Sequence, residues 1–269
     1  MKKFSGLLLV SDFDGTFFSH PVIPRRNLEA VRYFMEEGGR FTICTGRAMQ
    51  SLEIHIDDIP VNAPVIVANG GMIYDYAERR IVQSRCMDES AREIVAKLME
   101  RFPGVGVELY VGTETFVAHR NAWVDRQIEG DLRNWREMPL GEIPSQWVKC
   151  ILTDDPKELP AVQEYLHTLG APQIEDIFTA PFFLELFRAG VNKGTGLKLL
   201  ADQLGIPMEN TFSVGDYYND IALVQAAAHG YAVEGGPQEL LEAAEATVCR
   251  PDQGAVAHVV ELIERTISN

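Results

Sequence analysis

Short apolar runs alternate with amphipathic stretches at both ends of this chain, and that alternation limits the fold more than any other feature. Residues 7–11 form a strand-like run, a helical pattern follows over 27–38, and apolar residues 41–45 come next. A second helical stretch after Arg47 leads to the run 65–69. This is the rhythm of parallel strands joined by helices that cover the sheet. It returns near the other end, with a helix over 194–204, a strand over 211–215, a helix over 219–228 and short apolar runs at 231–233 and 247–249. A last helix is expected over 255–267. One doubly wound parallel sheet is therefore shared between residues 1–80 and 190–269.

From 81 to 189 the texture changes. A helical stretch over 89–102 precedes two adjacent strands, 105–111 and 115–119, separated by the short turn Gly112-Thr113-Glu114. Further strands are expected at 147–153 and across 174–187, with a helix over 156–169 opened by Asp154-Asp155 and Pro156. This segment reads as an inserted α+β domain, joined near Gly70-Gly71 and Gly190.

At 269 residues and 46% apolar composition the chain has material for about two domains with sizeable cores. The apolar run near the N-terminus is too brief for a signal segment or a membrane span, so a cytoplasmic setting is expected. A net charge of −15 argues against nucleic acid or an anionic membrane as partner. Four dispersed cysteines and six dispersed histidines show neither CxxC nor HExxH spacing, which excludes the common zinc patterns. Oligomeric state, a homodimer included, is left open.

In a doubly wound sheet the ligand lies beyond the carboxyl ends of the strands. Those ends carry Asp12 and Asp14, then Thr45-Gly46-Arg47, then Asn69-Gly70, then Gly215-Asp216. Residues two apart in extended backbone share a face, so Asp12 and Asp14 can address one reacting group. One can attack while the other handles protons. Thr45 and Gly46 open a helix, a natural phosphate site that is equally a plain N-cap. Lys193 stands at the mouth of a helix among small residues, where an exposed lysine would look the same in sequence. Gly215-Asp216-Tyr217-Tyr218-Asn219-Asp220 offers carboxylates suited to a hard divalent cation, with helix capping as the other reading.

In this order the segments resemble the haloacid dehalogenase-like phosphatase superfamily, and the large insertion resembles the cap of its Cof-type subgroup. Asp12-Phe13-Asp14-Gly15-Thr16, Thr45-Gly46-Arg47, Asn192-Lys193-Gly194 and Gly215 to Asp220 carry the likeness, which spans nearly the whole chain. It implies a Rossmann-like catalytic core with an inserted cap that sets specificity. It also implies a Mg²⁺-dependent phosphatase of a small phosphorylated metabolite, a sugar phosphate, working through an aspartyl-phosphate. Asp12 would be the nucleophile and Asp14 the general acid and base. Thr45, Gly46, Arg47, Asn69, Gly70, Lys193 and Asn219 would surround the substrate, with Thr45 and Lys193 on the phosphoryl oxygens. Asp12, Asp216 and the backbone carbonyl of Asp14 would hold Mg²⁺, and Asp220 would orient Lys193 or a metal-bound water. Phe17-Phe18 and Val233-Glu234-Gly235-Gly236 depart from the commoner pattern.

Two alternatives remain at this point. A sugar phosphomutase shares such a core and cap, and a phosphate-responsive regulatory protein also uses an aspartate, a hydroxyl and a lysine on a doubly wound sheet. Receiver domains of the second kind are about half this length. For substrate specificity the candidates are Arg47, Glu185, His119 and Arg120, while Trp123, Trp135 and Trp147 read as core.

Overall fold

The computed structural model describes residues 2–130, 132 and 134–267, and the chain divides into two compact units. One comprises Met1–Arg47, His55–Gln83 and Asn192–Asn269; the other comprises Ala48–Ile54 and Ser84–Val191.

The first unit is built on a five-stranded sheet in the order Ala246–Val248, His229–Val233, Thr211–Gly215, Leu8–Ser11, Arg40–Ile43, all pairs parallel. A parallel bridge between Cys44 and Ile66 brings the Val65–Val67 strand alongside. Every residue of Leu8–Ser11 is buried, as expected for a strand covered on both faces. It pairs with Arg40–Ile43 on one side and Thr211–Gly215 on the other, with Ser11 opposite Val214. Strands from the two ends of the chain therefore meet at the sheet centre. That register sets Asp12 beside Gly215 and closes with the bond from Asp12 N to Val214 O at 2.9 Å. The carboxyl ends of these strands share one edge of the sheet.

Helix Lys193–Leu204 starts where a capping box stops the chain from fraying. The Asn192 side chain accepts from Thr195 N at 2.9 Å, and the Thr195 hydroxyl accepts from Asn192 N at 3.0 Å. Lys193 thereby becomes the first helical residue, buried at the mouth of the helix. Behind it, Leu197, Leu200 and Ala201 pack on Leu8, Val10 and Ile66.

The second unit carries a six-stranded sheet in the order Ile174–Ala180, Phe183–Arg188, Trp147–Thr153, Gly106–Val111, Glu114–His119, Trp135–Glu137. All its pairs are antiparallel except the last. Helices Ser90–Arg101 and Leu159–Thr168 cover one face through Val95, Leu98, Val162 and Leu166. Helix Ala122–Glu129 packs Val124 near Tyr110, Val117 and Ile151 on the other. That second face also buries charge. Glu108 accepts from Tyr110 Oη at 3.0 Å and Gln127 Nε2 at 2.6 Å, and Lys149 pairs with Glu185 at 2.6 Å.

Some elements differ from the sequence reading. The helix expected from Pro156 begins at Leu159, because the Asp155 carboxylate takes Lys157 N at 2.9 Å and Asp155 O takes Glu158 N at 2.8 Å. A local turn has competed with the helix. The helical stretch after Arg47 is only Met49–Leu52. The hairpin strands Met72–Asp75 and Arg80–Ser84 and the helix Ala122–Glu129 had not been expected. The helix had a legible start signal, since Asn121 Oδ1 accepts from Trp123 N and Val124 N at 3.0 Å each.

Helix Lys193–Leu204 approaches Ile221–Ala226 so closely that a Cβ on Gly194 would lie 2.2 Å from Ala222 O. Helix propensity alone favours alanine over glycine by about 1 kcal/mol, but displacing a backbone carbonyl costs about 1–3 kcal/mol. Gly194→Ala is expected to lower stability in urea unfolding, whereas Gly141→Ala, with open space around it, stays within about 0.5 kcal/mol.

Burial pushes the Glu108 carboxyl up to about 7, against the pull of Tyr110, Lys149 and Gln127. The folded state then holds a proton that the unfolded chain releases near its ordinary value, so this group costs stability as pH rises from about 4.5 toward 7. Glu108→Gln should remove a loss of about 1–3 kcal/mol between pH 5 and pH 8. Urea unfolding of both proteins across that range is the check; parallel curves would refute it.

Candidate active site

The turn after Leu8–Ser11 is wound tightly enough to present two carboxylates. Gly15 N donates to Phe18 O at 3.0 Å, Phe18 N donates to Phe13 O at 2.8 Å, and Gly15 takes a φ of +83° that suits glycine. A Cβ on Gly15 would lie 2.3 Å from Asp216 Oδ2, so glycine also admits that carboxylate. Thr16 Oγ1 donates to Asp216 Oδ1 at 2.9 Å and fixes its orientation. Gly215 serves in the same way for Asp220, whose Cβ would stand 2.3 Å from an added Cβ there.

Lys193 joins the two halves of the site. Its Nζ donates to Asp12 Oδ1 at 2.5 Å and to Asp220 Oδ1 at 2.6 Å, with all three side chains buried. The second oxygen of Asp220 accepts from Asp216 N and Tyr217 N at 3.1 Å each. Asp220 is thus fully engaged in holding the lysine and the loop. Asp12 Oδ2, by contrast, is buried with no hydrogen-bond partner among the described residues.

Asp12, Asp216 and Asp220 each offer an oxygen within 4.8 Å of the others, an arrangement able to hold a metal ion. Three carboxylates here face one lysine. Burial, then the Asp220 charge, raises Asp12 well above the ordinary carboxylate range despite Lys193. Burial and Asp220 likewise push Asp216 up to about 6. Lys193 is lowered by burial, but Asp12 and Asp220 outweigh this and raise it. This excess of carboxylates over cations fits a divalent cation, which takes carboxylate oxygens.

The Asp14 carboxylate stands outside that group. It receives Arg47 Nε on Oδ2 and Arg47 Nη2 on Oδ1, both at 2.7 Å. The sequence reading involved its backbone carbonyl in metal binding, and its side chain in proton transfer. Thr45, buried, ends its strand with Thr45 N donating to Ile66 O at 2.9 Å, and its hydroxyl accepts from Arg47 N at 3.1 Å. Asn69 sits at a φ of +52°, accepts from Asn219 Nδ2 at 3.0 Å, and would stand 3.1 Å from a Cβ on Gly46. Asn69 Nδ2 is buried without a partner. Gly70 instead serves packing: a Cβ there would lie 2.2 Å from Asn192 O. A cavity of about 460 Å³ opens beside Gly15 and Asp216, walled by Tyr217, Tyr218, Glu234 and Gly236.

Thr16 and Asn192 stand in the sequence motifs without a role assigned to them, although each holds a site residue in place. Of the specificity candidates, Glu185 is paired with Lys149, Arg120 with Asp125, and the ring Nδ1 of His119 lies 2.6 Å from Val105 O. Trp147 is core, its Nε1 donating to Pro144 O at 2.7 Å. Trp123 instead stacks on Phe182 at 5.0 Å beside a surface cavity.

The family model of haloacid dehalogenase-like hydrolases matches residues 9–260. Among curated proteins, the 5-amino-6-(5-phospho-D-ribitylamino)uracil phosphatase YwtE of Bacillus subtilis is 25% identical, covering 93% of this chain and 95% of its own length. Among solved structures, a haloacid dehalogenase-like hydrolase from Bacteroides thetaiotaomicron superposes with a TM-score of 0.85 at 23% identity, covering 96% of this chain and 99% of its own. The subclass IIB sugar phosphatase BT4131 gives 0.80 at 20% identity, covering 96% and 98%. No helix among the described residues is long and apolar enough to cross a membrane. The chain belongs to the haloacid dehalogenase-like hydrolases, in their Cof-type branch with an inserted cap domain, and is an enzyme of the phosphatase class, a phosphoric monoester hydrolase.

Proposed function

We propose that this enzyme is a Mg²⁺-dependent phosphatase of a small phosphorylated metabolite, a sugar phosphate, and that Asp12 is its nucleophile. The observation that carries the reading is the asymmetry of Asp12: Oδ1 is held by Lys193, and Oδ2 is buried with no partner among the described residues. A buried carboxylate oxygen without a partner is costly, and a phosphorus centre would engage it.

In the first displacement Asp12 Oδ2 forms a bond to phosphorus while the bond to the leaving oxygen breaks, and Asp14 gives that oxygen its proton. Water then attacks the aspartyl-phosphate, Asp14 takes its proton, and Asp12 is released. Lys193 has three donors, two of them on Asp12 and Asp220, so the third can meet a phosphoryl oxygen. Thr45, Gly46 and Asn219 would serve the remaining oxygens. Asp12, Asp216 and the Asp14 carbonyl would hold Mg²⁺, which neutralises negative charge on the transferring group. The sugar-phosphate class is supported by the likeness to the sugar phosphatase BT4131. Four free cysteines accord with a reducing, cytoplasmic setting.

With a panel of sugar phosphates and Mg²⁺, phosphate release by Asp12→Asn is expected to fall by at least about 10³-fold and by Asp14→Asn by about 10²- to 10⁴-fold. Retained turnover in Asp12→Asn would remove the nucleophile; isomerisation of a hexose phosphate without phosphate release would favour a mutase. Metal binding has its own readout. At about 100 times its dissociation constant Mg²⁺ should stabilise the wild type by about 2.7 kcal/mol. A thermal melt should show the rise in wild type and its loss in Asp216→Asn, and an Mg²⁺-insensitive wild type would refute the assignment.

A further inference from the structure

The Arg47–Asp14 pair is built with more care than an exposed ion pair needs. The guanidinium meets the carboxylate as a two-bond fork, 2.7 Å on each arm, although the Asp14 side chain is 47% exposed and that of Arg47 22%. At such exposure a pair contributes about 0–1 kcal/mol, too little to be a device for holding the fold. A fork does supply direction, because the planar guanidinium fixes the plane of the carboxylate.

Arg47 is itself held from several sides. Its backbone N–H donates to Thr45 Oγ1 at 3.1 Å, and its carbonyl accepts from Ala68 N at 2.8 Å, so two strand ends pin it. Its guanidinium lies 5.4 Å from the centre of the Phe13 ring. Phe13 is fully buried and stacked on Phe18 at 5.1 Å, with the His55 ring tilted against both. The aromatic base under the arginine is therefore rigid.

We infer that Arg47 is a positioning residue for Asp14 and not a ligand of the phosphoryl group. This rests on the function proposed above and deepens it. Asp14 must keep one oxygen within hydrogen-bond reach of the leaving oxygen, and a half-exposed aspartate alone would spend most of its time in other rotamers. The fork restricts those rotamers. When Asp14 passes its proton to the leaving oxygen as the phosphorus bond breaks, the carboxylate left behind keeps its place in the fork. It is then oriented to take the proton of the attacking water. Turning Nε and Nη2 from Asp14 to a phosphoryl oxygen would break both arms and release the acid when it is needed.

Leaving-group basicity separates the two roles. An alkoxide needs a proton to depart and p-nitrophenolate hardly does. Arg47→Ala should therefore lower kcat on a sugar phosphate by about 10²-fold, at least about tenfold more than on p-nitrophenyl phosphate. KM and the inhibition constant for inorganic phosphate should move by less than about threefold. Arg47→Lys, which keeps the charge without the fork, should rescue only in part. In an Asp14→Asn background, Arg47→Ala should cost less than about twofold further, because its target is gone. Equal losses on both esters with a raised KM and a raised phosphate inhibition constant would overturn the inference and make Arg47 a phosphoryl ligand. A wild type inactive on every ester would instead sink the phosphatase reading. Should Arg47→Ala fail to fold, Arg47→Gln gives the same comparison.

Discussion

One buried ammonium organises this enzyme. Lys193 lies between Asp12 and Asp220, and these three residues come from the first strand, the helix that re-enters the core after the insertion, and the loop after Thr211–Gly215. Burying a charged group is expensive, and a buried ion pair is weak evidence for stability. The arrangement is better explained by what it leaves unbalanced. Burial, and then the Asp220 charge that one lysine cannot offset, hold Asp12 and Asp216 above their ordinary range. The three carboxylates outnumber the one lysine and form a group able to hold a metal ion.

Bringing carboxylates so close requires backbone without side chains in the way. Gly15 and Gly215 do this on two loops: a Cβ on either would lie 2.3 Å from an atom of Asp216 or Asp220. Gly70 and Gly194 do the same one layer back, where backbone meets backbone at the mouth and side of the Lys193 helix. The acids are therefore positioned by packing of rigid elements, and little depends on long flexible side chains. That is the condition under which electrostatic positioning can act on a transition state.

Much of this was legible in the sequence, for identifiable reasons. The strand ends at Asp12, Thr45, Asn69 and Gly215 could be read because an apolar run stopped by a glycine or a polar residue is a local signal. Asp12, Lys193, Asp216 and Asp220 do meet in the structure. What could not be read was pairing. Nothing local says that the second oxygen of Asp220 takes two loop amides, that Thr16 steers Asp216, or that Arg47 takes both oxygens of Asp14. The last two are contacts between residues 200 and 33 apart, chosen by tertiary packing, while the Asp220 bonds reach back three and four residues along the loop. The helix Leu159–Thr168 shows the same limit on a small scale, since Asp155 settled a turn by hydrogen bonding where Pro156 suggested a helix start.

The inserted unit obeys a different logic on its two faces. Toward helices Ser90–Arg101 and Leu159–Thr168 the sheet presents valine, leucine and cysteine, the usual means of closing a core. On the opposite face Glu108, Lys149 and Glu185 are buried, and Glu185 Oε2 has no partner. Apolar residues of similar size would stabilise the fold at least as well, and breaking one member of a buried pair costs more than the pair contributes. In sequence the strand Gly106–Val111 reads Val-Glu-Leu-Tyr, an alternation that normally turns its polar members to water. Here the alternation gave the face correctly and the solvent wrongly, because burial of Glu108 depends on Tyr110 and Gln127 supplying its hydrogen bonds.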